Sequence, residues 1–138
     1  MCSTCAGENV KFGYTIIYVD DVLNILNSYK EAFRFQEKFV HENNQYAELK
    51  TGSSTLAFTD HETANFNGIN VSKLIKQDKN APPFELAFVS DDVEKDYKKA
   101  IEAGAVENKK TAAKPWGQVV GYVKDNNGFL IELYSPIN

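Results

Sequence analysis

Hydrophobic and polar positions in this chain follow the same order twice. Residues 14–22 read YTIIYVDDV and residues 85–93 read ELAFVSDDV, so an apolar strand runs into an Asp-Asp-Val helix start in both halves, 71 residues apart. Residues 12–19 are rich in β-branched and aromatic side chains and predict a strand. Val22, Leu26, Tyr29 and Phe33 then recur at helical spacing and predict a helix over 21–33, with Asp20 or Asp21 placed to cap it. Strands are expected at 36–41, 45–50 and 55–59, the last two joined by a Thr51-Gly52-Ser53-Ser54 turn. The first unit therefore reads β-α-β-β-β.

A polar stretch over 61–83 follows, with Asn65, Asn67, Gly68, Asn70 and the pair Pro82-Pro83. It reads as a connector holding one short element around 71–75, because about twenty structureless residues are long for a compact domain. The second unit opens at Phe84. Asp91 with Glu94 fits a capping box, Val93, Tyr97, Ala100 and Ile101 form an apolar stripe, and Gly104 suits the position just past the helix end. A strand at 105–109, a loop around Lys114-Pro115-Trp116-Gly117 and strands at 118–124 and 129–134 complete the unit. Asp125-Asn126-Asn127-Gly128 predicts a tight hairpin turn, since Asn-Gly supplies the positive φ such turns need. Half of a small domain cannot bury its own sheet face, so the two units should pair and leave a pocket between their sheets. The expected fold is α+β, a single domain over 10–138 made of repeat one (10–61), a connector (62–83) and repeat two (84–136), after a tail at 1–9.

Composition narrows the function. The chain has 138 residues, 43% of them hydrophobic, which suits one domain with a real core. Its net charge is -4, its sequence pI is near 5.2, and Arg34 is the only arginine among fifteen basic residues. That argues against nucleic acid, which needs a clustered basic face, and against phosphate-rich ligands, which are clamped mostly by arginine. No apolar run approaches the roughly 18 residues of a membrane span, and the N-terminus lacks a signal-peptide core, so a soluble cytoplasmic protein is expected. Cys2 and Cys5 form a C-x-x-C pair ahead of all predicted structure. A zinc site needs more ligands, and the pair reads as two reduced thiols on the tail.

The second-half string KPWGQVVGYVKDNNGFLIEL, the paired βαβββ order, and TLAFTDHE closing the first unit together resemble the vicinal oxygen chelate superfamily, the group of glyoxalases, bleomycin-resistance proteins and extradiol dioxygenases. The resemblance covers about residues 10–136. It implies two βαβββ repeats whose sheets curl around a common cleft, a small-molecule ligand or substrate, and a homodimer. In metal-dependent members, four side chains from the first and last strand of each repeat hold one divalent ion. Carried onto this sequence, those places fall on Tyr14, Ala57, Glu85 and Glu132. Alanine offers no donor, and a phenol ligates poorly from a pKa of about 10. Three or four donors are usually needed, so Glu85 and Glu132 make an incomplete metal pair; the cofactor stays open, with no tightly bound divalent ion expected.

The same resemblance makes Glu85 and Glu132 the candidate catalytic residues. Strand alternation sets them opposite Leu86, Phe88, Ile131 and Leu133, on a face that is either wet surface or cleft wall, and the resemblance selects the cleft. Two carboxylates on one cleft raise at least one pKa and equip it as a general base. Tyr14, Trp116, Tyr18 and Tyr134 are the candidate substrate-binding residues. Trp116 is equally readable as core, and Tyr122 is a weaker addition. His41 and His61 close strands but fall on none of the mapped places, and Lys98-Lys99 and Lys109-Lys110 read as solvated faces. A lyase or isomerase is the expected activity, the alternative being a metal-free small-molecule or antibiotic-binding protein. Lactoylglutathione lyase activity is not expected, because the mapped metal set is incomplete and, further, a single arginine pairs poorly with the two carboxylates of glutathione.

Overall fold

The computed structural model describes residues 12–70 and 84–136. The first unit comprises β1 (Thr15–Val19), α1 (Val22–Phe33), β2 (Gln36–Val40), β3 (Tyr46–Thr51), β4 (Ser54–Asp60) and the short α2 (His61–Phe66). The second comprises β5 (Glu85–Val89), α3 (Val93–Glu102), β6 (Val106–Ala113), β7 (Val119–Lys124) and β8 (Leu130–Tyr134). They build two four-stranded sheets, ordered β1-β4-β3-β2 and β5-β8-β7-β6. The helical crossover after β1 or β5 lets that strand lie parallel to the last strand of its unit, while the hairpins give antiparallel pairs elsewhere. The repeated βαβββ order read from the sequence is the order of the fold, and neither sheet closes into a barrel.

Several boundaries move for local reasons. The cap of α3 is Asp92, whose carboxylate accepts the Lys95 N–H, so the capping box expected from Asp91 and Glu94 does not form. Ser90 Oγ accepts the backbone N–H of Asp92 at 3.1 Å, which holds the chain one residue further along before the helix starts. His61 opens α2 instead of ending a strand, because Asp60 at the end of β4 accepts from the Thr63 N–H and starts a turn of helix. β6 continues past Lys109 to Ala113, with register shifts between Glu107 and Lys109 and between Lys109 and Ala112 that keep a polar run paired to β7. The short element expected at 71–75 and the Cys2/Cys5 pair lie outside the described residues.

Both long helices are amphipathic and spend their apolar stripes on one shared core. Val22, Ile25, Leu26 and Tyr29 of α1 join Val93 and Tyr97 of α3, with Ile17, Leu49 and Phe58 from the first sheet and Val123, Ile131 and Leu133 from the second. The helices pack on each other as well as on their own sheets. Tyr29 is fully buried, its ring edge-on to Phe58 of β4 at 5.1 Å and to Phe88 of β5 at 6.5 Å. Phe33 and Phe35 close on the same Phe88 at 5.1 and 5.0 Å. A ring touching both sheets places the helices between them, so each sheet turns its other face outward.

Polar contacts lock this docking. The Tyr29 hydroxyl donates to Asp125 Oδ2 at 2.6 Å, while Asp125 Oδ1 accepts the N–H groups of Asn127 and Phe129 in the β7–β8 turn. Burial raises the Asp125 pKa, and the hydrogen bonds from Tyr29 and the turn backbone pull it back down. Arg34, in the left-handed conformation after α1, pairs with Asp96 of α3.

Two substitutions test this core. Added to Gly121, a Cβ would lie 2.8 Å from the Thr111 methyl and 3.0 Å from the Tyr97 ring, so Gly121→Ala should cost about 1–3 kcal/mol in urea unfolding through overpacking. Tyr29→Phe leaves a buried carboxylate oxygen without its donor and should cost about 1.5–3 kcal/mol at pH 7. Losing that donor raises the Asp125 pKa further above its unfolded value, so the folded variant holds the proton more tightly and its deficit should shrink as pH falls through the acid range. A deficit independent of pH would show that Asp125 is not the group responsible.

Candidate functional site

The outward face of the second sheet follows from strand alternation. Glu85, Ala87 and Val89 of β5, Tyr122 of β7, and Leu130, Glu132 and Tyr134 of β8 point away from the helices, while Leu86, Phe88, Ile131 and Leu133 point inward. Tyr122 and Glu132 are direct cross-strand partners, and the phenol donates to Glu132 Oε1 at 2.9 Å. This bond, with some burial and the charges of Glu132 and Glu85, pushes the Tyr122 pKa up to about 12. Partial burial and then the neighbouring Glu132 raise the Glu85 pKa. Glu85, Glu132 and Tyr122 thus form one electrostatic unit.

The first sheet presents Ile16 and Tyr18 of β1, Thr55, Ala57 and Thr59 of β4, and Tyr46 and Glu48 of β3, with Tyr14 just ahead of β1. Ala57 lies beside Ile16 and Glu48, as Glu132 lies beside Ala87 and Tyr122. The two registers therefore equate Ala57 with Glu132, and, two residues upstream on the neighbouring strand, Tyr14 with Glu85. The Tyr46 hydroxyl donates to Glu48 Oε2 at 2.5 Å, and burial, this bond and the adjoining Tyr14 phenol drive the Tyr46 pKa up. Lys38 Nζ stands 3.9 Å from Glu48 Oε1 and donates to Thr55 Oγ1 at 3.0 Å. Sequence reasoning missed Tyr46, Glu48 and Lys38, although the alternation of Tyr46 and Glu48 with buried Ala47 and Leu49 carries the signal for the first two.

Within one chain the sequence candidates fall into two groups. Glu85, Glu132 and Tyr134 share the second face, Tyr14 and Tyr18 the first, and the helices between the sheets keep the groups apart. Trp116 stands in the β6–β7 connection, 65% exposed, its indole N–H on Gln118 Oε1 at 2.8 Å, so it is not a core residue. His61 faces Asp20 at 3.4 Å and His41 packs edge-on to Phe39, both away from the carboxylate pair. Ala57 is fully buried and donor-free, and Glu132 is already an acceptor for Tyr122. Among the described residues, no three His, Cys, Asp or Glu side chains gather into a metal-holding set. Within one chain, the donors on either face do not make up the set that a catalytic divalent ion needs.

Residues 12–138 match the family model of the glyoxalase-like domain. The chain belongs to the glyoxalase-like family. No curated protein matches it by sequence. Among solved structures, a glyoxalase/bleomycin resistance protein/dioxygenase family enzyme from Burkholderia phytofirmans PsJN is similar at 22% identity and a TM-score of 0.76, over 91% of this chain and 98% of that one. A glyoxalase-related enzyme from Fulvimarina pelagi is similar at 17% identity and 0.74, over 92% and 89%. The fosfomycin resistance protein FosX from Mesorhizobium loti is similar at 12% and 0.64, over 91% and 92%. At these identities the likeness is one of fold. No described helix of this glyoxalase-like chain is long and apolar enough to cross a membrane.

The electrostatic unit has a direct check. Because the Glu132 charge helps to raise Glu85, Glu132→Gln should lower the Glu85 pKa toward the ordinary carboxylate range in a carboxyl-detected NMR titration. An unchanged Glu85 titration would show that the two carboxyls do not interact.

Proposed function

We propose that this glyoxalase-like protein is a cytoplasmic homodimer. In it, the outward face of the first sheet in one copy covers that of the second sheet in its partner, and a small molecule binds between them. The first support is exposed apolar surface on or beside those faces. Ile16 is 44% exposed, Tyr14 45%, Val89 59% and Trp116 65%, and apolar surface that gathers into a patch marks an interaction site. In this reading Tyr14, Tyr18, Tyr134 and Trp116 line the cleft.

The activity proposed is a lyase or isomerase reaction driven by proton transfer at Glu85 and Glu132. The observation that carries it is the adjacency of the two carboxyls with the Glu85 pKa raised by its partner. A carboxylate of elevated pKa is a better base near neutrality than an ordinary one, and its neighbour can hold or return the proton. Covering the pair with a second sheet desolvates it further and strengthens this effect. Glu85 as carboxylate would take a proton from a substrate carbon beside a carbonyl, and the C–H electrons would move into an enolate. Return of the proton at a different atom completes an isomerisation; loss of a leaving group completes an elimination. Substrate turnover should therefore rise with pH as Glu85 loses its proton.

A second reading is sequestration without chemistry. It is favoured by donor-free Ala57 at a mapped ligand place.

One experiment separates the two readings. A panel of small carbonyl and hydroxycarbonyl compounds is incubated with protein in D₂O and followed by proton NMR, alongside thermal-shift binding and light scattering. The expected result is a dimer that washes deuterium into a substrate C–H, with the rate falling about 10²–10⁴-fold in Glu85→Gln. A compound that raises the melting temperature but shows no exchange would select sequestration. A monomer indifferent to every compound would overturn both readings.

A further inference from the structure

The two outward faces carry the same device in different residues. At one level of the second sheet, a tyrosine on β7 donates its proton to a carboxylate on β8, Tyr122 to Glu132. At the equivalent level of the first sheet the β4 position is Ala57, and the carboxylate stands directly across from it on β3, at Glu48, with Tyr46 as its donor. The side chain missing at Ala57 is thus matched by one supplied from the next strand. We infer that Glu48 is a further ligand-anchoring residue of the cleft and that, with Glu132 of the opposing face, it selects a ligand bearing an amine at each of two ends.

The polarity of the hydrogen bonds supplies the ligand class. Tyr46 and Tyr122 each direct their single proton to a carboxylate of their own face, so neither phenol is left to donate outward. A carboxylate has about four acceptor sites, and one phenol fills one of them. Lys38 forms a half-exposed ion pair with Glu48 Oε1 at 3.9 Å and donates one of its three N–H groups to Thr55, which leaves the Glu48 oxygens with acceptor sites to spare. What the two faces offer is acceptor oxygens carrying negative charge, which protonated amines complement, and aromatic rings on which such cations also rest. The inference rests on the proposed two-copy cleft, because Glu48 and Glu132 lie on faces that do not meet within one chain.

The test uses α,ω-diamines of graded length, from 1,3-diaminopropane to 1,6-diaminohexane, against dicarboxylates of matched length, titrated calorimetrically into the dimer. One diamine length should bind best and the dicarboxylates should not bind. Glu48→Gln and Glu132→Gln should each weaken the best diamine by about tenfold or more, as loss of a charge-assisted bond does. Light scattering on each variant confirms that the dimer is intact. If Glu132→Gln weakens the diamine and Glu48→Gln does not, the role of Glu48 is overturned while the cleft reading stands. Preference for dicarboxylates, or no diamine binding by an intact dimer, overturns the ligand class. A protein that is monomeric in solution overturns the cleft reading itself.

Discussion

The burial of Tyr29 between the two sheets is the constraint on which the rest of this molecule depends. Its ring meets Phe58 of one unit and Phe88 of the other, and its hydroxyl reaches Asp125 in the far hairpin turn. A duplicated βαβββ chain can join its halves sheet to sheet or helix to helix. Here the halves share a helical core, and an aromatic cluster of Tyr29, Phe33, Phe35 and Phe88 fills the joint. That choice decides which faces are free. Once the helices are inside, every candidate site residue on the sheets must look outward.

An outward carboxylate pair is a poor catalyst in water and a better one under cover. A low-dielectric wall above the pair would raise the Glu85 pKa beyond the rise that partial burial and the neighbouring Glu132 already give it. The half-exposed apolar groups around both faces have the same requirement from the other direction, since water contact at Ile16, Val89 and Trp116 is unfavourable until something apolar covers them. Electrostatics and hydrophobicity therefore call for the same closure. The helix-to-helix joint prevents a chain from supplying that closure to itself, because its two open faces lie on opposite sides of one core.

Much of the fold was legible in the sequence because duplication writes each signal twice. The strand-to-helix junctions at Asp21 and Asp92, the apolar stripes of α1 and α3, and the Asp125–Gly128 turn all rest on short-range physics of periodicity, capping and positive φ. What short-range physics left open was resolved by competition. Asp92 displaced Asp91 as the cap because Ser90 holds the Asp92 N–H, and Asp60 turned a strand end into the start of α2. Glu85 and Glu132 stood out because the family resemblance maps its ligand places onto them, whereas strand alternation alone left cleft wall and wet surface equally open. Glu48 did not, since YAELKT reads as an ordinary half-wet strand, and its importance depends on standing across from Ala57, a pairing that no local pattern discloses.

The displaced carboxylate also bears on how such a site changes function. Replacing a metal-capable residue by alanine removes one donor, but placing a glutamate on the neighbouring strand restores charge without restoring coordination geometry, because the new oxygen approaches from across the pleat and is held by a phenol. A divalent ion demands several donors converging on one point at near 2 Å, whereas a hydrogen-bonded organic cation tolerates donor-acceptor distances near 2.8 Å and a spread of directions. In the proposed two-copy cleft, Tyr46 holding Glu48 and Tyr122 holding Glu132 would serve the second task, while Ala57 adds no donor to the first.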